Sequence, residues 1–419
     1  MAVLGIFAMV LVLLVMRQNI IVILLASAAY VHLVWGEGRL GYLAEDLWIS
    51  LDNPLLLAIP MFLLAGNLMT RGSIVRRLIN LAIEITKPLP GGLAVATIIS
   101  CAVFAGISGS SPVTLLAVGS VMYPALLANG YSKRFALGAL TSGGTLGIVI
   151  PPSIPLILYG IVTENSIADL FLAGVIPGLM ITLVLAVYSL LVNRNMPAQK
   201  LDLIALKRSL REGIWALMLP VIMLGGIYSG YFSATEAAAV ALAYGILVET
   251  FVYREIQLLD AYETALETAR LLGMLFPIVA VALSLKTILT IENIPDQLAL
   301  WITDITSSRV TFLLAVNALL LLVGCLFDVV SAILVLAPLL LIPAVAYGID
   351  PIHFGILMVI NLEIGFLTPP MGLNLIVAMT AFKESFGTIV RSVLPFVFLI
   401  FSVLLIVTFV PWTALALTG

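Results

Sequence analysis

Residues 106–112 read Gly-Ile-Ser-Gly-Ser-Ser-Pro. Hydroxyls and glycines this dense make a poor helix, because glycine loses the most backbone entropy and serine competes for the backbone's own hydrogen bonds. They make instead a turn rich in carbonyl and hydroxyl oxygens, the hard donors that suit Na⁺. A helix restarting after the turn offers N–H groups to an anion. A second stretch, Thr141-Ser142-Gly143-Gly144-Thr145 followed by Gly147 and Ile150-Pro151-Pro152-Ser153, reads as a broken helix. Paired prolines remove two N–H donors and stop the helix, which frees the carbonyls of 147–150 to face the serine-rich turn. Glycine packing and a simple kink account for either motif alone. Their pairing points to an ion site.

The pairing occurs twice. Gly324-Cys325-Leu326-Phe327-Asp328-Val329-Val330-Ser331 stands 218 positions after the first turn, and Asn361-Leu362-Glu363-Ile364-Gly365 leads through Thr368, Pro369, Pro370 and Met371 to Asn374. Asp328 takes the place of Ser110. A carboxylate in an apolar run is costly and marks an ion or substrate pathway; capping the returning helix is the other reading. Glu363 reads as a structural ion pair with Lys286, or as a group that supports the break. His32 and His353 fall near the ends of apolar runs and read as interfacial.

The elements that position these residues are membrane helices. Of 419 residues, 62% are hydrophobic and 10% charged, against about 25% charged in soluble domains. So few charges cannot cover a soluble fold of this size. The net charge of −3 and two cysteines, Cys101 and Cys325, both in apolar runs, exclude a basic nucleic-acid binder, a disordered chain and a disulfide scaffold. No cleavable signal peptide is evident. Ten runs near 2–16, 19–35, 51–70, 135–161, 170–192, 213–232, 235–253, 271–290, 354–380 and 388–412 read as spans, a span needing about 20 residues. The first two are short and are parted by Arg17 and Asn19. Runs 93–127 and 310–345 are too long for one crossing and are interrupted midway, so they read as hairpins that enter and leave on one face.

With both termini outside, all of the 19 basic residues except Arg39, Arg309 and Lys286 fall on the inner side, as the positive-inside rule favours. The outer loops are acidic, with Glu37, Glu45 and Asp46 among their residues. Segments 72–87 and 254–269 read as amphipathic helices on the inner surface, or as solvated loops. At the offset of 218, six Gly or Pro positions coincide: Gly106, Gly130, Gly147, Pro151, Pro152 and Pro177 fall on Gly324, Gly348, Gly365, Pro369, Pro370 and Pro395. The expected fold is therefore an all-α polytopic membrane protein built as an inverted repeat, each half having five spans and one re-entrant hairpin. The halves are 1–193, with hairpin 93–127 and broken helix 135–161, and 213–419, with hairpin 310–345 and broken helix 354–380; a basic inner linker, 194–212, joins them. Such repeats, interrupted in matching places, are the signature of a secondary transporter with its site at the repeat interface.

These motifs resemble the large membrane subunit, the M or DctM-type permease, of tripartite ATP-independent periplasmic (TRAP) transporters. The resemblance rests on Gly-Ile-Ser-Gly-Ser-Ser at 106–111, Asn-Gly-Tyr at 129–131, Leu-Gly-Ile-Val-Ile-Pro-Pro-Ser at 146–153 and Leu-Phe-Leu-Ala-Gly-Val-Ile-Pro-Gly-Leu at 170–179. In the second half it rests on Thr-Glu-Ala-Ala-Ala-Val at 235–240, Gly-Ile-Asp-Pro-Ile-His-Phe-Gly at 348–355 and Glu-Ile-Gly-Phe-Leu-Thr-Pro-Pro-Met-Gly-Leu-Asn at 363–374. It covers nearly the whole chain and is weakest in the first 50 residues.

The resemblance implies an elevator-type ion transporter fold in a bacterial inner membrane, importing an organic anion such as a C4-dicarboxylate or sugar acid with Na⁺ as the coupling ion and no other cofactor. It implies a soluble periplasmic binding protein and a small four-helix membrane subunit, here a separate chain because no extra four-span block precedes residue 1. It places one Na⁺ site on Ser108, Ser110, Gly147, Ile150 and Pro152, and a second on Asp328, Gly365, Thr368 and Met371, mostly through backbone carbonyls. The anion is expected between the hairpin tips, with Ser111, Thr145 and Asn374 as candidates by position.

Two rival functions remain. One is a stand-alone Na⁺- or H⁺-coupled anion transporter of the same fold. The other, more remote, is a rhomboid-like intramembrane serine protease, suggested by Gly-Ile-Ser-Gly at 106–109; it requires a histidine within reach of Ser108.

Overall fold

Apolar chain at membrane depth satisfies its backbone polar groups internally, which favours helices throughout. The computed structural model of the chain describes residues 2–16, 18, 20–35, 40–306 and 308–418, and no strand occurs among them. In chain order the helices are α1 (Ala2–Val15), α2 (Ile20–Val34), α3 (Leu40–Leu51), α4 (Ala58–Arg71), α5 (Ile74–Thr86), α6 (Gly92–Ser108) and α7 (Ser111–Ala128). Then come α8 (Lys133–Gly144), α9 (Leu146–Val149), α10 (Ile154–Thr163), α11 (Ile167–Val192), α12 (Leu203–Tyr228), α13 (Ala234–Leu247) and α14 (Leu258–Ile291). The chain ends with α15 (Ile294–Ile305), α16 (Arg309–Leu326), α17 (Val329–Ala346), α18 (Pro351–Phe366), α19 (Leu373–Phe382), α20 (Phe386–Phe409) and α21 (Trp412–Leu415). A 3₁₀ turn, Pro54–Leu57, precedes α4, and a π-helical turn, Val248–Val252, follows α13. Arg17, Asn19, Glu37 and Arg39 lie outside the described residues.

Two helix pairs are closely joined. α6 and α7 are joined only by Gly109 and Ser110, α16 and α17 only by Phe327 and Asp328. Shifted by 218, the bounds of α7 become those of α17, and the pattern of hairpin, broken helix and proline-bearing long helix in α6–α11 recurs in α16–α20. The starts match too: Ser132 caps α8 by accepting the N–H of Phe135, and Asp350, at the same offset, caps α18 by accepting those of Ile352 and His353.

The broken helices form the centre. From Phe135 to Val162 every residue is buried except half-buried Ile150, and in α18 burial is complete from His353 to Phe366. These helices touch protein on all sides. By contrast α12 and α14 carry exposed Ile204, Trp215, Val221 and Met274. α5 is amphipathic as expected, burying Ile74, Val75, Leu78, Ile79 and Ala82 against α6 and α12.

Four boundaries differ from the sequence reading. Residues 254–269 do not form a separate surface helix: from Leu258 they run directly into the next span as the 34-residue α14, because no proline or glycine interrupts 258–272. α12 starts at Leu203, inside the expected linker, capped by Asp202. α3 and α15 lie in stretches read as outer loops. Ten helical stretches among the described residues are long and apolar enough to cross a membrane, but they are not the ten runs of the sequence: they include α7, α16 and α17 from the hairpins, and omit α1 and α2, which have 14 and 15 residues, and the run 354–380, which is split between the shorter α18 and α19.

Candidate functional site

The first tip turns at Gly109, whose φ of +60° lies in the left-handed region that glycine adopts without a Cβ penalty. The turn folds onto the proline break: the Gly109 carbonyl accepts the N–H of Ile154 at 3.2 Å. Ser108 shares a 2.6 Å hydrogen bond with Thr114, and Thr114 also reaches the Ser110 carbonyl at 2.9 Å. Gly147 lies against that carbonyl; a Cβ there would stand 2.7 Å from both Ser110 C and Thr114 Oγ1. Ser108, Ser110, Gly147, Ile150 and Pro152 are thus brought to one place. Ser153 supplies what the sequence reading omitted. Its hydroxyl donates to the Ile148 carbonyl at 2.6 Å and caps α10 by accepting the Leu156 N–H at 3.4 Å. One of the freed carbonyls is therefore already satisfied. Pro151 and Pro152 are buried, and their peptide is cis.

The second tip is built alike but lies open. Asp328 caps α17, its two oxygens accepting the Ser331 N–H at 2.9 Å and the Ser331 hydroxyl at 2.6 Å. The capping reading of Asp328 is therefore observed, and the residue also lines the space between the tips; each carboxylate oxygen keeps acceptor capacity beyond the bond it makes. Gly365 packs directly on the backbone of Gly324, and the Met371 N–H donates to the Cys325 carbonyl at 3.3 Å. Thr368 donates its hydroxyl to the Ile364 carbonyl at 2.8 Å. Pro369, Pro370 and Met371 are exposed, unlike their first-half counterparts.

Between the tips is a cavity of about 290 Å³. Gly109, Ser110 and Pro112 line it from the first tip and Asp328, Val329 and Val330 from the second, with Leu63 of α4 and Leu271 and Leu275 of α14 opposite. The starts of α7 and α17 both border it, so helix N-termini, rather than a basic side chain, face the space. Ser111, Thr145 and Asn374 are each fully buried and do not line this cavity. Asn374 instead donates to Ser111 at 2.6 Å and to the Thr141 carbonyl at 3.4 Å, clamping α19 onto α7 and α8.

The charged pairs differ from expectation. Lys286 pairs with Glu164 at 2.8 Å, and among the described residues Glu363 has no salt bridge. Glu164 lies outside the spans, and the hydrogen bond and charge of Lys286 hold its carboxyl below the usual range. The histidines are buried rather than interfacial: His32 Nε2 lies 3.2 Å from Ser284 Oγ and His353 Nε2 lies 2.8 Å from the Val407 carbonyl.

The family described as "Tripartite ATP-independent periplasmic transporter, DctM component" matches residues 7–413. The chain belongs to this family. As a large TRAP permease it is 42% identical, over 93% of its length and 92% of the other chain, to the C4-dicarboxylate TRAP transporter large permease protein DctM of Pseudomonas aeruginosa. It is 40% identical to the isethionate TRAP transporter permease protein DctMQ of Oleidesulfovibrio alaskensis, covering 90% of this chain and 60% of that one. The fold resembles the crystal structure of the Alcanivorax borkumensis YdaH transporter, with a TM-score of 0.65 at 15% identity over 92% of this chain and 90% of that chain. A large TRAP permease is a transporter subunit and not an enzyme. The protease reading falls with this, and on geometry: the partners of Ser108 are Thr114 and Ser110, whereas the histidines face Ser284 and Val407.

Proposed function

We propose that this permease imports an organic anion with Na⁺ as the coupling ion, by an elevator movement of the hairpins and broken helices against the remaining helices. The observation that carries the reading is the double stitching of tip to break around one cavity. Ile154 N–H on Gly109 and Met371 N–H on Cys325 tie each hairpin to its own break, so an ion held by either pair orders the cavity wall. One Na⁺ is assigned to oxygens of Ser108, Ser110, Gly147, Ile150 and Pro152, and one to those of Asp328, Gly365, Thr368 and Met371. The anion sits between the helix N-termini at the tips. Coupling then follows from differential affinity, since Na⁺ favours the ordered tips that hold the anion. The halves are read as inverted repeats, and the termini as periplasmic in a bacterial inner membrane. A small membrane subunit and a periplasmic binding protein complete the transporter. The relatives' substrates, a dicarboxylate and a sulfonate, put the cargo among small organic acids.

The test is uptake into proteoliposomes across a panel of such acids, with and without a Na⁺ gradient, a small subunit and a binding protein. Ser110→Ala and Asp328→Ala are each expected to lower uptake at least about tenfold, about 1.4 kcal/mol of coupling, and to weaken its Na⁺ dependence. Uptake with unchanged Na⁺ dependence in both variants refutes the ion assignment. Full uptake without any binding protein refutes the three-part reading in favour of a stand-alone transporter.

A further inference from the structure

Glu363 lies in α18, fully buried, and among the described residues neither of its carboxylate oxygens has a hydrogen-bond partner. At the 218-residue offset its counterpart is Thr145, and the two side chains meet across the repeat interface. The Thr145 hydroxyl does not satisfy the carboxylate, because its proton goes to the Ser142 carbonyl at 2.6 Å. Thr141, in the last turn of α8 four residues before Thr145, is fully buried, and among the described residues its hydroxyl is unpartnered. Asn374 reaches the Thr141 carbonyl through Nδ2, while its own Oδ1 is also unpartnered. The counter-charge expected from the sequence, Lys286, is committed to Glu164.

An ionised carboxylate in a low-dielectric interior needs a positive partner, and a group left bare at membrane depth marks a place where something binds. Thr145 brings a neutral oxygen to the carboxylate, and among the described residues no positive side chain pairs with it. Among the described residues, no group of three or more His, Cys, Asp or Glu side chains exists that could hold a transition metal. One carboxylate balances one unit of charge, whereas a divalent ion would leave charge buried and demands more oxygens.

We propose that Glu363, the hydroxyl oxygens of Thr141 and Thr145, and Oδ1 of Asn374 form an occluded site for a monovalent hard cation of the Na⁺ class where the two breaks meet. It is separate from the tip sites of the proposed function and goes beyond that reading. An ion there would bridge α8 of one half to α18 and α19 of the other, making the contact between the halves depend on occupancy.

The experiment is equilibrium binding of radiolabelled Na⁺ to the full chain in lipid nanodiscs, beside thermal unfolding in Na⁺ and in choline. Glu363→Gln is expected to bind one Na⁺ fewer per chain and to show a smaller Na⁺-dependent rise in unfolding midpoint. Thr141→Val, a milder change, is expected to weaken that one ion about tenfold, which keeps the test open should the Gln variant fold poorly. Ser110→Ala and Asp328→Ala are expected to keep the Glu363-dependent ion. A Glu363→Gln chain that retains the wild-type ion count and the full Na⁺-dependent rise overturns the proposal and leaves a proton as the charge on Glu363. Failure of the tip variants to alter uptake refutes the coupling reading without touching this one, since binding is measured apart from transport.

Discussion

Glu249 and Glu363 are both fully buried, and the protein treats them in opposite ways. Glu249, in the π-helical turn after α13, accepts the backbone N–H groups of Ser73 and Ile74 at 2.8 Å each and the Ser73 hydroxyl at 3.4 Å. It thereby caps α5 from another helix, placing negative charge at that helix's N-terminus. Gly72 leaves the room, since a Cβ there would collide with the Glu249 carboxylate. Arg77 completes the corner, donating to Ser73 Oγ at 3.1 Å and lying 3.9 Å from the centre of the Tyr253 ring. Glu363, at the crossing of the breaks, has no such donors. The contrast separates a corner whose charge is permanently answered, and so fixes α4, α5 and α13 together, from a centre whose charge is answered only by a ligand.

The largest effect tests the answered charge. Glu249→Ala strips the acceptors from two helix-starting N–H groups, and is expected to lower unfolding stability by about 3–5 kcal/mol, the usual result of breaking a buried charged network. Glu249→Gln keeps an acceptor and is expected to cost less. Thermal unfolding in nanodiscs reads both. A Glu249→Ala chain as stable as the wild type in choline would erase the distinction between the two carboxylates.

This contrast was only half visible in the sequence. Gly and Pro act locally, through φ and a missing N–H, so Gly109, the Pro151–Pro152 pair and the Pro369–Pro370 pair mark the tips and breaks without knowledge of the fold. Caps are local as well, and Ser132 and Asp350 recur at the repeat offset, a signal that was there to be used. Thr114 was also within reach, standing four residues after Ser110 on one helix face. What spacing cannot encode is which helix lies beside which. Glu363 was paired with Lys286 on charge alone, although Lys286 reaches Glu164, 122 residues away in the chain, and Asn374 finds Ser111 across 263. The short helices α3 and α15 carry Glu45, Asp46, Asp296 and Asp304, so charge concealed elements too short to span.

An intermediate effect belongs to a side chain that is answered on one side only. Asn374 has both its donor contacts, to Ser111 and the Thr141 carbonyl, and no partner for Oδ1. Asn374→Ala leaves the buried Ser111 hydroxyl without its donor, an expected cost of about 1–3 kcal/mol. On the site proposed above it also removes one oxygen from the Glu363 cation, so Na⁺ is expected to stabilise the variant less than it stabilises the wild type. Thermal unfolding in Na⁺ and in choline separates these effects: a loss equal in both would make Asn374 purely a clamp.

The smallest effect concerns the pair that took Lys286 away from Glu363. The Glu164 side chain is 82% exposed, so solvent screening limits the pair to about 0.5 kcal/mol or less. Lys286 depresses the Glu164 pKa in the folded state, so the pair contributes above the carboxyl's ordinary value of 4.5 and its contribution is lost as pH falls through the depressed value. Lys286→Ala is therefore expected to lower the unfolding midpoint slightly at neutral pH, with the gap from wild type closing in acid. It is expected to leave Na⁺ binding unchanged, because the lysine already has its partner outside the core. A Lys286→Ala chain that bound Na⁺ more tightly would mean the lysine competes for Glu363, and the two carboxylates would then differ less than their surroundings indicate.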